Sequence, residues 1–353
     1  MMDIIDLFCG AGGMSLGFEK AGFHSVLAID KWNDAIVTYN ANRKKQIGTT
    51  VDIHDFTNEQ LENIKKDNDI HGIIGGPPCQ GFSLVGTRLT NDPRNSLYME
   101  YVRFVSVIKP DFFVLENVPG LLSMENGKYK DDIIKRFSEL GYNVNFETLK
   151  ASDYGVPQSR KRVFFVGLNN TKFGKDHFFD FDLVKKRDEV STSMAIDDLP
   201  SLKSELCSKS YDEEPHNEFQ KLMRKDSKIL LNHEGTQHTE QTINIISLVP
   251  DGGGIKDLPK EYYKVRNYNN AFRRMDSKKP SNTIDCGHRN YFHYKENRVP
   301  TVRESARIQS FPDLYEFKGS KTSQYTQVGN AVPPLLAYSI AKAIEKEIDN
   351  TNR

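Results

Sequence analysis

Cysteine is scarce in this chain. The four in 353 residues, Cys9, Cys79, Cys207 and Cys286, stand at no metal-ligand spacing from one another. They give no metal site and no disulfide framework, and a reducing compartment suits them. Long apolar runs are missing too. None approaches the ~20 residues that span a bilayer, and the start Met-Met-Asp-Ile-Ile-Asp lacks the basic residues of a secretory leader. A cytoplasmic protein with no membrane partner is expected. Neither sign of charge is in excess: 48 Lys and Arg balance 48 Asp and Glu. A balanced chain still binds a polyanion if its basic residues share a face. Repeats and low-complexity tracts are absent.

What the chain does have is a run at 75–83, Gly-Gly-Pro-Pro-Cys-Gln-Gly-Phe-Ser. Pro77 and Pro78 fix backbone torsions and remove amide donors, so Cys79 should leave the sheet just past the strand at 72–74. Open α/β sheets bind their ligands at that end of their strands. A buried structural thiol is the plainer reading of a free cysteine, and the neighbours of Cys79 weigh against it.

Short apolar strands alternate with amphipathic helices through the first half, the pattern of a mostly parallel sheet covered on both faces. Strands are predicted at 4–8, 26–29, 72–74 and 112–115. Helices are predicted at 14–21, from Asn33, along the Leu97, Tyr101, Val105, Ile108 face, and through Ile133 to Leu140. Strands at 144–149 and 163–166 have no helix between them and should pair antiparallel. From about Asn169 to Arg298 the chain is polar and irregular, with a basic aromatic stretch at 262–274. Helical order returns at 301–310. Val332, Leu335, Leu336, Ile340, Ala343 and Ile344 form a last apolar stripe, which needs the sheet of the first domain as its partner. The predicted domains are 1–169, a second and smaller one at 170–297, and a segment at 298–353 that completes the first.

Gly10-Ala11-Gly12-Gly13 follows a strand and opens a helix, a turn that lets a ligand approach the backbone. Asp30 ends the next strand, at the distance expected of a ribose-binding acid. The pair suits an adenosine-containing cofactor, whether a nicotinamide dinucleotide or S-adenosylmethionine. Asp52 can accept from an adenine amino group while Ile53 packs the ring. Glu116 ends the strand at 112–115 and Arg162 opens the strand at 163–166. Parallel strand ends and one antiparallel start should gather Cys79, Glu116 and Arg162 on the rim that holds Gly10. A thiolate is a strong nucleophile. Added to carbon 6 of a pyrimidine, it makes carbon 5 enamine-like. A carboxyl at ring nitrogen 3 and a guanidinium at the ring carbonyl then stabilise the adduct.

With these residues in view, the chain resembles the DNA cytosine-5-methyltransferases, in the form found in bacterial and phage restriction–modification. The resemblance runs in the family's order through Asp-Leu-Phe-Cys-Gly-Ala-Gly-Gly (6–13), Gly-Pro-Pro-Cys-Gln-Gly-Phe-Ser (76–83), Glu-Asn-Val-Pro-Gly (116–120) and Gln-Ser-Arg-Lys-Arg (158–162). It continues in Arg-Val-Pro-Thr-Val-Arg-Glu-Ser-Ala-Arg-Ile-Gln-Ser-Phe-Pro (298–312) and Gln-Val-Gly-Asn-Ala-Val-Pro-Pro (327–334). It implies an α/β fold: a Rossmann-like class I S-adenosylmethionine-dependent methyltransferase sheet with an antiparallel last strand, plus a smaller irregular target-recognition domain.

By resemblance Cys79 attacks carbon 6, Glu116 contacts ring nitrogen 3 and the amino group, Arg162 binds the carbonyl at position 2, and Arg160 holds the catalytic loop and a nearby phosphate. Phe8, Gly10, Gly12, Asp30, Asp52, Ile53, Pro78, Leu97, Asn330 and Val332 match positions around S-adenosylmethionine. Lys31 departs from the family at a place often aromatic or apolar, and Trp32 follows it. No residue is assigned to cover adenine, and none to remove the carbon 5 proton, a task open to water. The loop from Gln80 to about Asn95, with Ser83 and Arg88, suits a lid over a cytosine flipped from the duplex. Arg266, Arg273, Arg274, His288 and Arg289 are candidates for base or phosphate contacts. A monomer acting on double-stranded DNA is expected, with a cognate restriction endonuclease as a further partner. The competing readings are a transfer-RNA methyltransferase, a binding-only homologue and, from the glycine turn alone, a dehydrogenase.

Overall fold

A computed structural model describes residues 2–78, 95–202, 205–264, 272–284, 286 and 291–351. Contacts divide the chain into two compact units. The first comprises Met1–Lys150, Lys161–Lys186 and Leu336–Arg353, and the second Ala151–Arg160 and Arg187–Leu335.

The first unit is built on seven strands: β1 (Met2–Leu7), β2 (Phe23–Asp30), β3 (Gly48–Thr50), β4 (Ile70–Gly75), β5 (Phe112–Asn117), β6 (Tyr142–Lys150) and β7 (Lys161–Asn169). Their order is β3-β2-β1-β4-β5-β7-β6. β1 to β5 run parallel. β7 is antiparallel to both β5 and β6, the reversal expected of two strands joined without a crossover helix. Ile5, Leu7, Ile73, Phe113, Leu115, Val163 and Phe165 supply one buried face of the sheet. Tyr101, Phe104, Val105 and Ile108 of the helix Asn95–Ile108, with Ile133 and Phe137 of the helix Lys128–Glu139, cover it. The Tyr101 hydroxyl donates to the carbonyls of Ile73 and Val114, so even the polar tip of that helix face is satisfied by the sheet.

The C-terminal helix Pro334–Thr351 joins this unit from Leu336 onward. Leu336, Ile340, Ala343 and Ile344 are buried as the stripe requires. Glu347 ties the helix down by bonding His177 and the Asp180 amide.

The unit boundaries differ from the expected 169/170 and 297/298 in physically legible ways. Residues 170–186 stay on the sheet because Asn143 donates to the carbonyls of Gly174 and His177, and Asn145 to that of Phe179. Residues 151–160 leave it, since Ser159 and Ser281 are joined by backbone bonding. Residues 298–335 stay in the second unit because their arginines are bound there. Arg298 pairs with Glu296 and Glu304, and Arg307 with Asp198 and Asp313. Arg303 donates to the carbonyls of Leu231, Pro312 and Tyr315. No helix among the described residues is long and apolar enough to cross a membrane.

Candidate active site

Parallel register lines up the strand ends of the first unit. Leu7 lies across from Ile29 on one side and Gly75 on the other, and Gly75 across from Leu115. Each residue that follows these positions therefore emerges on one rim.

At the end of β1 the chain turns sharply. Phe8, Gly10 and Gly12 all adopt positive φ, at 57°, 52° and 81°. The two glycines accept this without strain. A Cβ on Gly12 would lie 2.7 Å from the Tyr39 ring, whereas one on Gly10 would meet nothing within 4 Å. The turn is thus packed tightly beneath and open above. Asp30 braces it: Oδ2 accepts from the Gly10 amide at 2.8 Å and Oδ1 from the Trp32 amide at 2.9 Å. Burial raises the Asp30 carboxyl above its usual range, and these amides oppose the rise. Each oxygen keeps acceptor capacity for a further donor, so the open turn and its acid fit an adenosine ribose. Asp52 is exposed; its Oδ1 accepts from the His54 amide at 3.1 Å and lies 2.6 Å from His54 Nδ1. The His54 hydrogen bonds hold the Asp52 carboxyl below its usual range. Ile53 and Leu97 are buried in the core, and Pro78 is exposed.

Under the turn lies a buried group that pattern reading missed. Asp6 accepts from the Ser15 hydroxyl, and Ser15 lies 2.9 Å from the Tyr39 hydroxyl. Burial pushes the Asp6 carboxyl up to about 7, against the Ser15 hydrogen bond and the Arg43 charge. The only sequence signal for it was an aspartate inside an apolar strand, and two strand positions away Ile4 faces the same way.

At the end of β5, Glu116 Oε1 sits 2.8 Å from Arg162 Nε, both side chains mostly buried. Antiparallel register makes this contact: Asn117 faces Val163, so Arg162 lies one step beyond the strand end and reaches back. Gly76 gives the carboxyl room, since a Cβ there would stand 2.8 Å from Glu116 Oε2. Asn117, to which no role had been given, donates to the Pro77 carbonyl at 3.0 Å. It ties down the last described residues before Cys79. Cys79, Gln80, Ser83, Arg88, Arg266, His288 and Arg289 lie outside the described residues.

The second unit carries the other candidates. Arg160 is 2% exposed and donates to the carbonyls of Ile284 and Asn330. The catalytic loop it was expected to hold lies outside the described residues. Asn330 is exposed, with Oδ1 2.5 Å from Cys286 Sγ, and Val332 is buried. Arg273 is exposed on the two-residue strand Arg273–Arg274. Arg274 is not available to DNA, and that expectation is corrected. Its five N–H groups go to the carbonyls of Val249, His293, Glu296 and Ile246 and to the Asn297 side chain, which uses every donor a guanidinium has.

Comparisons with known proteins bear on the family and the fold. The family model for C-5 cytosine-specific DNA methylase matches residues 2–346. The chain is 41% identical to the type II methyltransferase M.DdeI of Desulfomicrobium norvegicum, covering 99% of this chain and 90% of that one. It is 38% identical to M1.HphI of Haemophilus parahaemolyticus, covering 99% and 87%. Among solved structures, a DNA modification methyltransferase candidate encoded within an E. coli prophage superposes with a TM-score of 0.83 at 28% identity, over 99% of this chain and all of that one. The chain belongs to the C-5 cytosine-specific DNA methylase family and is a DNA cytosine-5-methyltransferase that uses S-adenosylmethionine.

Proposed function

We propose that the chain is the modification enzyme of a type II restriction–modification pair, methylating one cytosine within a specific duplex sequence through a covalent bond from Cys79. The observation that carries this reading is the Glu116–Arg162 pair on the aligned strand ends, beside Gly76 and beside Pro77, which Asn117 holds two residues before Cys79 in the sequence. The M.DdeI and M1.HphI likeness supports the restriction–modification setting.

A cytosine stacked in a duplex cannot reach this rim, so the base is flipped outward before reaction. The Cys79 sulfur then bonds to carbon 6, breaking the 5,6 double bond. Glu116 holds a proton at ring nitrogen 3, where negative charge would otherwise build. Arg162 donates to the ring carbonyl and holds Glu116 in the same plane. S-adenosylmethionine, bound at the Gly10–Asp30 turn, supplies an electrophilic methyl group for the enamine-like carbon 5. Loss of the carbon 5 proton to water and departure of the Cys79 sulfur restore the aromatic ring. The second unit takes the target-recognition role, with Arg273 as its exposed described candidate.

The test is a trap. Duplex DNA carrying 5-fluorocytosine cannot release its carbon 5 substituent, so the wild-type protein should form a denaturant-stable adduct in the presence of cofactor, and Cys79→Ala should form none. Label from S-adenosylmethionine should enter duplex DNA and not transfer RNA. An adduct in Cys79→Ala, or transfer RNA as the labelled species, overturns the reading. Methylome sequencing of expressing cells reports the target site.

A further inference from the structure

Gln158 and Gln309 are wholly buried, both 0% exposed, and neither has a part in the chemistry above. An amide carried into a core costs several kcal/mol unless its polar atoms are paired. These two are paired with each other and with three separate stretches of backbone in the second unit. Gln158 Oε1 accepts from the Ile284 amide at 3.0 Å. Its Nε2 donates to Gln309 Oε1 and, at 3.4 Å, to the Ile308 carbonyl. Gln309 Nε2 in turn donates to the carbonyls of Val328 at 2.9 Å and Ala331 at 2.7 Å. A two-amide chain thus runs from the Ile284 backbone to both sides of Asn330.

Other bonds tie the stretches around Ile284 and Asn330 to each other and to residues 157–160. Ser281 and Pro157 bond through their backbones at 2.9 Å, Ser159 and Ser281 at 2.8 Å. Arg160 reaches the carbonyls of Ile284 and Asn330, and Thr326 Oγ1 reaches that of Cys286 at 3.3 Å. In sequence, Ile284 and Cys286 lead directly into His288 and Arg289, two of the candidate DNA contacts. Beyond these comes the strand Tyr291–Phe292, paired with Arg273–Arg274 and held by the Arg274 guanidinium through the His293 carbonyl. The recognition residues lie between two fully bonded polar anchors along the chain, and Gln158 is the first of them.

We propose that Gln158 and Gln309 are positioning residues for DNA sequence fidelity: the buried amide pair sets the backbone register of the Ser281–Ile284 stretch, from which the chain runs on to candidate target-reading residues. This rests on the target-recognition role of the second unit. Packing alone does not require amides here, because methionine and leucine fill similar volume. What an apolar pair cannot do is fix one backbone against another to a few tenths of an ångström, and base-edge hydrogen bonding demands that precision.

The test compares wild type with Gln158→Met, Gln309→Leu and the double variant. Each is expressed in a host whose DNA lacks cytosine methylation, and the genomic DNA is sequenced for 5-methylcytosine. A single mismatched base pair normally costs a recognition protein ~1–3 kcal/mol. Loosening the anchor should raise the ratio of near-cognate to cognate methylation by about tenfold. In steady-state assays KM for cognate duplex should rise by a similar factor, with kcat at saturating DNA within about threefold of wild type. Each single variant strands its partner amide and folds less well. The double variant strands no side-chain amide but still leaves backbone groups of Ile284, Ile308, Val328 and Ala331 without their side-chain partners, so site ratios are compared below its measured melting transition, where fidelity should remain impaired. A double variant that is folded under those conditions and keeps the wild-type site ratio overturns the proposal. Arg273→Ala separates the layers. If it alters site choice while the glutamine variants do not, only the positioning role falls. If neither alters DNA affinity or site choice, the recognition role of the second unit falls with it.

Discussion

Replacing Gly76 with alanine would isolate the Glu116 carboxyl from the rest of the site. The φ of Gly76 is not in the left-handed region, so alanine can adopt the backbone. Its Cβ would meet Glu116 Oε2 at 2.8 Å and the Glu116 carbonyl at 3.5 Å. Something must move, and the movable part is the carboxyl end of a side chain. The thermodynamic cost is therefore at the low end of overpacking, about 1 kcal/mol, worth no more than a few degrees in Tm. The chemical cost is larger. Glu116 Oε1 is held 2.8 Å from Arg162 Nε, so moving Oε2 away from the new Cβ disturbs that contact, and in the proposed mechanism both groups bind the pyrimidine. A displacement of that size at a proton-donating group costs on the order of 10²-fold in rate.

Single-turnover methyl transfer to duplex DNA should accordingly fall by about two orders of magnitude in Gly76→Ala. Calorimetric affinity for S-adenosylhomocysteine should stay within about twofold, since the cofactor turn is untouched. Gly75→Ala is the contrast. Its Cβ would lie 2.2 Å from the Leu7 backbone carbonyl, which has nowhere to go, so that variant should lose the fold. Gly76→Ala turning over at the wild-type rate would refute the argument that this glycine makes room for a working carboxyl.

Two further outcomes follow from buried charge. Asp6, with its carboxyl raised to about 7 in the folded protein, binds a proton there that the unfolded chain releases near pH 4. The folded state holds the extra proton between those values, so stability falls as pH rises from about 4 to about 7 and then levels. The shift corresponds to roughly 4 kcal/mol at most. Asp6→Asn should flatten that part of the curve in urea titrations, and parallel curves for the two proteins would rule the assignment out. Arg274→Met leaves five acceptors without their donor and should destabilise the second unit by ~3 kcal/mol or more. The salt dependence of DNA binding should keep its slope in Arg274→Met and lose about one unit in Arg273→Ala; the opposite pattern would return Arg274 to the DNA surface.

Where local pattern dictated structure, the sequence was readable. The alternation of strand and helix through residue 168 came from apolar runs and 3.6-residue spacing, and the Leu97–Ile108 face is buried as spaced. The reversal of β7 followed from a missing crossover helix. β3, only three residues long, carried no period to detect. The unit boundaries at 150, 160 and 186 were invisible because side-chain bonds between distant segments set them, not a change in composition. Arg273 and Arg274 show the same limit at one step. On a strand, neighbours face opposite ways, and without the register neither arginine can be told to point inward. Asp6 read as part of an acidic start because a buried carboxyl looks like any other until its surroundings are known.

The strand reversal explains why the Glu116–Arg162 pair, catalytic in the proposed mechanism, is possible at all. In antiparallel pairing, Glu116 faces Phe164 and Asn117 faces Val163. Arg162 thus falls at the carboxyl end of β5, where its side chain covers the remaining distance to Glu116. A parallel strand would enter the sheet at the opposite end of β5. Four residue steps at ~3.3 Å would then put its first residue roughly 13 Å from Glu116, beyond any arginine. Most strand ends of an α/β sheet reach the ligand rim only as exits, and each exit is followed by a connection that departs toward a helix. Reversing one strand adds an entrance to that rim. The guanidinium therefore comes from a residue braced by the sheet it is about to join, with Leu149 as its cross-strand neighbour. The sequence Gln-Ser-Arg-Lys-Arg uses both sides of that entrance. Arg160 is bound within the second unit and Arg162 within the first, so two arginines a single residue apart do different work because the unit boundary passes between them.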